Sequence, residues 1–275
     1  MNELSYCALC QLEKALIDSH LIPAAAYFHL RNNTNFGIQQ SVRINKYDGS
    51  AVQTDKQIQQ PLLCKDCEDL FSKRGERLLG LLWSAGGKFP LYDILKDSLP
   101  LVSQPKIKMY DSTVVNEELL NGLLYFAISI FWRAEVWDWQ WDKDPYGNGL
   151  GPRYEQEFRE FLTSKSSLKN VFLSIDLNSN ELTRGVFSFP SCDRVEGSWY
   201  HSFYILGIRF IMVVGGGKSR IRKLCEDVGS DIIFTISDFA ETASFSEVLN
   251  SARSDSGILR RGKLSKLDLI NLVKK

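Results

Sequence analysis

The chain lacks an excess of charge of either sign. Lys+Arg and Asp+Glu each number 33 in 275 residues, so the formal net charge at pH 7 is zero. That excludes a protein that coats nucleic acid by charge alone, while leaving room for local basic patches. It also lacks a long apolar run. The longest stretches, 123–132 and 206–214, are too short to span a bilayer alone. The N-terminus, MNELSYCALCQLEK, has neither the basic start nor the apolar core of a signal peptide. Internal repeats, low-complexity tracts, a Rossmann glycine fingerprint, an EF-hand loop and a Ser-His-Asp order are all missing. These absences lead to the expectation of a soluble cytoplasmic protein with no membrane partner and no nucleotide cofactor.

What is present suits a folded protein. Hydrophobic residues make up 44% and charged residues 24%, with 16 Phe, 10 Tyr and 6 Trp to build a core. The length fits one large domain or two small ones. A soft boundary is expected near residue 110, dividing 1–110 from 111–275. The helical spacing of leucines with Phe71 predicts a helix from Leu62 to Gly86. Residues 116–141 predict the central buried helix, apolar nearly all round. PRYEQEFREFLTSK predicts an amphipathic helix with Pro in its first turn. The second half changes character. NVFLSIDL, GVFSFP, SWYHSFYILG, IRFIMVVG and DIIFTISD are rich in β-branched and aromatic residues and predict strands of a mainly antiparallel sheet. A short strand is expected at SVRINKY, and closing helices at FSEVLNSA and LSKLDLINLVKK. The fold class is therefore α+β. Charge is uneven: residues 111–165 carry ten acidic and five basic groups, and 253–275 carry two and seven. The basic C-terminus reads as ordinary surface or as a contact for phosphate or an acidic partner.

Cysteine provides the one strong motif. Cys7-x2-Cys10 and Cys64-x2-Cys67 are separated by 53 residues. Each pair can present two thiolates to one metal from a tight turn, and two pairs complete the tetrahedral four-cysteine set that structural Zn²⁺ prefers. Neither pair has the βαβ setting of a redox CxxC. A closed site of this kind has no open position for substrate, so such a metal is structural. Cys192 and Cys225 read as ordinary thiols.

Between the pairs lies Asp18-Ser19-His20-Leu21-Ile22-Pro23, and Glu68 follows Cys67 directly. The order CxxC, SHLIP, LLCxxCE resembles the HNH (ββα-metal) endonuclease motif on a treble-clef zinc knuckle. It is closer still to a bacterial group with an S-H-I-I-P motif and a later S-x-x-W-R element, matched here by Ser129 to Arg133. The resemblance covers roughly residues 5–75 and the helix around Trp132-Arg133. It implies an N-terminal treble-clef module and an antiviral defence setting with a protein partner. It also implies DNA as a substrate, and Mg²⁺ or Mn²⁺ if the site is catalytic. HNH hydrolysis needs an imidazole base, a divalent metal on the leaving oxygen and a group that orients the imidazole. His20 occupies the base position. Ser19 stands where a metal-binding Asp is expected, Gln59 or Gln60 near the Asn position, and Glu68 in place of the final His or Asn. Glu68 is a hard oxygen donor, and Asp18 is a candidate substitute for Ser19. Two readings stay open: an endonuclease with His20, Glu68 and Asp18 at work, or a noncatalytic zinc adaptor for a protein or nucleic acid.

Three further features carry weaker signals. Gly215-Gly216-Gly217-Lys218-Ser219 resembles the end of a phosphate-binding loop, but the first glycine of that motif falls on Met212. The cations Lys218, Arg220, Arg222 and Lys223 remain candidates for phosphate contact. Arg133, in a Trp-rich helix, is expected to pair with Glu68 or a backbone carbonyl, or to hold a phosphate beside His20. His29 and His201 have no visible partners in the sequence.

Overall fold

The structure, a computed structural model, describes residues 4–31, 42–44, 51–53, 57–139, 146, 149–195, 197–215, 217–242, 245 and 259–260. It is α+β, as the patterning predicts. The N-terminal module is a three-stranded antiparallel sheet in the order β1-β2-β5 (Leu4–Tyr6, Glu13–His20, Gln59–Cys64). Helix α1 (Ala24–Arg31) follows β2. Between α1 and β5, β3 (Val42–Ile44) and β4 (Ala51–Gln53) form a small hairpin, with β3 inside the expected SVRINKY segment.

The expected helix from Leu62 is corrected. Leu62, Leu63 and Cys64 end β5, and α2 (Lys65–Phe71) begins only after Cys64. A short apolar run fits strand and helix equally well, and pairing with β2 decides it here. The register slips between Ile17 and Asp18, where Ile17 faces Leu63 and Asp18 faces Pro61. Leu62 is thus the extra residue of a bulge, beside a proline that has no N–H for the ladder. After α2 the backbone widens into a π-turn over Ser72–Glu76 and resumes as α3 (Arg77–Gly80). The π-turn brings Gly75 against α5 (Glu117–Val136), so that a Cβ at Gly75 would lie 3.0 Å from the Phe126 Cα.

Helix α5 is the centre of the molecule. Asn116 caps it by accepting from the Leu119 amide at 2.8 Å, and Glu117 and Glu118 suit its positive end. Every residue from Gly122 to Ala134 except Leu124 is buried. By length and composition α5 could cross a bilayer, but 67% of its apolar window is covered by the rest of the protein. It ends at Val136, short of the expected 141. Glu135 turns to receive the Leu150 and Gly151 amides at 3.0 and 3.1 Å, at the start of α6 (Gly151–Leu162). The Trp139 indole closes on the Ala134 carbonyl at 2.9 Å.

Beneath α5 lies a seven-stranded sheet. In chain order its strands are β6 (Val102–Gln104), β7 (Ile107–Tyr110), β8 (Val171–Asn178), β9 (Ser191–Val195), β10 (Ser198–Ile205), β11 (Ile208–Val214) and β12 (Ile232–Ser237). Across the sheet they run β6-β7-β12-β8-β11-β10-β9, and only the β8–β12 pair is parallel. All eight residues of β8 are buried. One face packs on α5 through rings such as Phe126, Phe131, Phe203 and Phe210, with centroids 5.0–6.1 Å apart. Each such side chain stabilises the fold by about 1.5–3 kcal/mol. The other face holds α7 (Arg220–Val228) over Phe172, Val213 and Ile233. GVFSFP, expected as a strand, makes only a single bridge, Phe187 to Ile205, and β9 takes the sheet edge after Pro190. The hairpin β6–β7 joins this sheet through β12, so strand pairing crosses the expected boundary near 110. α4 (Pro90–Lys96) links the two halves. The strand β13 (Leu259–Arg260) pairs with β4. The two expected C-terminal helices and most of the basic 253–275 stretch lie outside the described residues.

Candidate metal centre and the histidine beside it

The tight turn Cys7–Cys10 opens the site. The Gln11 amide donates to the Cys7 carbonyl at 2.8 Å, and Gln11 takes a left-handed φ of 58° to let the chain reverse into β2. The bulge in β5 is used here, because the Leu62 carbonyl accepts the Ala8 amide at 3.1 Å. Across the sheet, Cys64 stands at the N-cap of α2 and Cys67 in its first turn. The ligand sulfurs of Cys7, Cys10, Cys64 and Cys67 all lie within 4.8 Å of one another, and Cys10 and Cys64 are 3.9 Å apart. A tetrahedron with Zn–S bonds of ~2.3 Å has sulfurs about 3.8 Å apart. The donor set therefore fits zinc with a small contraction. A metal with four thiolates is anionic, and the N-terminus of α2 faces it with its positive end.

The thiols are not equivalent. Cys7 is fully buried and Cys10 half-buried. The Cys64 amide donates to Cys7 Sγ at 3.3 Å, and the neighbouring Cys67 thiol, the largest influence, with nearby backbone amides holds the Cys7 pKa down to about 4 against its burial. As donor to that thiolate, Cys67 is pushed up. Burial raises Cys10. Lys14 closes over the centre by pairing with Asp66 at 2.8 Å.

Next to this centre, the end of β2 carries the candidate catalytic residues. Ser19 is fully buried and its hydroxyl donates to Glu68 Oε2 at 3.0 Å. Burial raises the Glu68 pKa, with Arg133 opposing that shift and Glu76 adding to it. Asp18 is exposed, and strand alternation points it away from Ser19. The His20 ring is half-buried and makes no hydrogen bond among the described residues. Gln59 and Gln60 face His20 and Ser19 across the sheet. In the amide orientation that satisfies both groups, Gln60 pairs with the backbone of Asp138 at 3.1 and 3.2 Å. Among the described residues, the four cysteines are the only set of three or more His, Cys, Asp or Glu donors that meets at one point. His20, Glu68 and Asp18 do not form a second one.

Arg133 is fully buried. Its guanidinium pairs with Glu76 on the π-turn, donates to the His20 carbonyl at 2.7 Å and lies over the Phe71 ring at 4.7 Å. The expectation of a backbone carbonyl partner is met. The phosphate role is corrected: Arg133 has no exposed face. Sequence reasoning missed Glu76, whose spacing from Arg133 gives no local signal.

The cations of the second half are placed on and before α7. Lys218, Arg220 and Lys223 are exposed, whereas Arg222 pairs with Glu226 at 2.7 Å and covers Phe172. Ser219 caps α7 by accepting the Arg222 amide at 3.0 Å, so its hydroxyl is engaged within the helix start. His201, without visible partners in the sequence, is buried with Nδ1 2.8 Å from the Tyr146 hydroxyl and Nε2 4.0 Å from Cys192 Sγ. His29 packs its ring edge-on against Trp83. Sequence reasoning also missed a buried polar network at the ends of β8 and β12. Asp176 binds Arg209 at 2.6 Å and accepts from Ser237 at 2.9 and 3.0 Å. Its members lie 28 to 61 residues apart, beyond the reach of any local pattern.

Compared with known proteins, the chain matches no family model, no curated protein and no solved structure. Its functional reading therefore rests on the geometry of these residues.

Proposed function

We propose that the chain is a zinc-stabilised recognition protein whose HNH-like module holds structure rather than cleaving phosphodiesters. The observation that carries this reading is the fate of the second donor set. Ser19, at the position of the expected metal-binding Asp, spends its hydroxyl on Glu68, and Asp18 points to solvent. Glu68 is largely enclosed, and Arg133 is committed to Glu76 and the His20 carbonyl. Hydrolysis would need a hard cation beside the base, and these donors do not converge to hold one. The four thiolates would hold Zn²⁺, which fixes the turn at Cys7–Cys10 onto the start of α2. Exposed Lys218, Arg220 and Lys223 favour an acidic partner, nucleic acid or protein. A defence complex is the setting that the resemblance suggests for such a partner.

One observation favours the nuclease reading instead. His20 is partly exposed, its side chain makes no hydrogen bond among the described residues, and it lies near enough to Glu68 to influence that carboxyl electrostatically. The test compares the purified protein with His20→Ala on plasmid and single-stranded DNA in Mg²⁺ or Mn²⁺, with zinc measured in both. The expected result is about one zinc per chain in each and no cleavage by either. Cleavage by the wild type that disappears in His20→Ala, with zinc unchanged, would replace the adaptor by the endonuclease.

A further inference from the structure

The four cysteines differ sharply in access. Cys7, Cys64 and Cys67 are 0%, 2% and 6% exposed, and Cys10 alone is half-buried. A cleft of about 160 Å³ opens beside Cys10, between the cysteine turn and the C-terminal half of α6. Gln11, Gln156, Arg159, Thr163 and Lys165 line it together with Cys10. The sulfurs also differ in chemistry. The Cys64 amide donates to Cys7 Sγ at 3.3 Å, and such an N–H···S bond withdraws electron density from a thiolate. Cys10 is the ligand that faces solvent, and Cys64 Sγ lies 3.9 Å from its sulfur.

We propose that Cys10 is the oxidation site of the metal centre, and that a hydroperoxide entering this cleft converts Cys10 and Cys64 into a disulfide and expels the metal. The inference rests on the reading that the four thiolates hold zinc. The steps balance. Cys10 Sγ attacks one peroxide oxygen, the O–O bond breaks, and the leaving oxygen takes a proton to become water. Cys64 Sγ then attacks the sulfenic sulfur, the S–S bond forms, and the departing hydroxide takes a second proton. Two thiolates lose two electrons, and one hydrogen peroxide becomes two waters. Zinc keeps only two protein ligands and leaves. Reducing the disulfide restores all four thiolates and allows zinc to return.

The sequence of burial explains why Cys10 reacts first. Bringing two sulfurs from 3.9 Å to a bond of ~2.05 Å needs only a local shift of the Cys7–Cys10 turn. A Cys7–Cys67 disulfide would instead form inside the core, out of reach of the oxidant.

The experiment begins with zinc content, which should be about one per chain; metal-free protein would overturn the zinc reading itself, and this inference with it. The zinc-loaded protein is then treated with hydrogen peroxide. Released zinc is followed with a chromogenic chelator, and disulfides are mapped by peptide mass spectrometry. The expected result is zinc release in step with one Cys10–Cys64 disulfide, reversed by thiol reductant. Gln156 is exposed on α6 at the cleft, so Gln156→Trp should cover the mouth and slow release at least fivefold, with zinc content and Tm unchanged. Zinc retained under peroxide, a Cys7–Cys67 disulfide, or wild-type release rates in a folded Gln156→Trp protein would each overturn the proposal.

Discussion

Replacing Arg133 by Met removes the charge that joins the N-terminal module to the central helix, with little change in volume. Arg133 is 0% exposed, and its partner Glu76 retains 19% of its side-chain exposure. Breaking a buried pair by removing one member costs about 3–5 kcal/mol, because the remaining charge stays desolvated. Glu76 is partly wet, which pulls the figure toward the lower end. The His20 carbonyl also loses a donor at 2.7 Å, and an unmade buried hydrogen bond costs ~1–3 kcal/mol. The expected loss for Arg133→Met is therefore about 4 kcal/mol, read from urea unfolding followed by tryptophan fluorescence. Adding Glu76→Leu removes the stranded carboxylate. The double variant should then recover part of the loss and fall only ~1–3 kcal/mol below wild type, the share of the orphaned carbonyl. A single variant within about 1 kcal/mol of wild type, or a double variant worse than the single, would refute the idea that Arg133 works as a buried charged tie.

Two further outcomes follow from buried groups. Burial lowers the His201 pKa from 6.5 to about 4. The unfolded chain then binds the proton first, so this contribution is complete above pH 6.5 and drains away as pH falls toward 4. The total is about 3 kcal/mol. Urea titrations at several pH values should show that loss, and His201→Gln should flatten it in that window. Cys64→Ser removes a ligand that also begins α2. Zinc should fall well below one per chain and the N-terminal module should lose protection in hydrogen exchange, because metal-binding energy is folding energy in such modules. Normal zinc and an unchanged Tm would contradict the assignment of this ligand.

The legible parts of the molecule were those whose signal is local. Two CxxC pairs announce their joint chemistry through spacing, and the structure brings all four sulfurs together. The central helix and the main strands announce themselves through apolar periodicity. The α2 region was harder, because Leu62-Leu63 fits a strand and a helix alike and only pairing with β2 settles it. The surroundings of His20 were harder still. That Ser19 donates to Glu68 depends on residues 49 apart, and that Arg133 takes the His20 carbonyl depends on residues 113 apart. Long-range polar contacts of this kind leave no periodic trace in the chain. The same holds for His201, whose partner Tyr146 lies 55 residues away and in no strand, and for Asp176, whose partners are brought to it by neighbouring strands of the sheet.

The π-turn at Ser72–Glu76 has a consequence for how the chain tolerates change in length. Each residue in an α-helix advances the side-chain direction by about 100°. A π-turn accommodates one residue more than the α-helical path, so it absorbs a single step of that rotation. Upstream, Cys67 and Phe71 are aimed at the metal module and core; downstream, Leu79 is aimed inward and Glu76 at Arg133. The turn acts as a phase adjuster between two facings that one straight helix could not serve together. Deleting one residue there would straighten the helix and leave every local propensity intact. It would also keep Leu79 and its neighbours facing as they do now, whereas the same residues wound as one regular α-helix would swing them about a quarter-turn out of place relative to the cysteines.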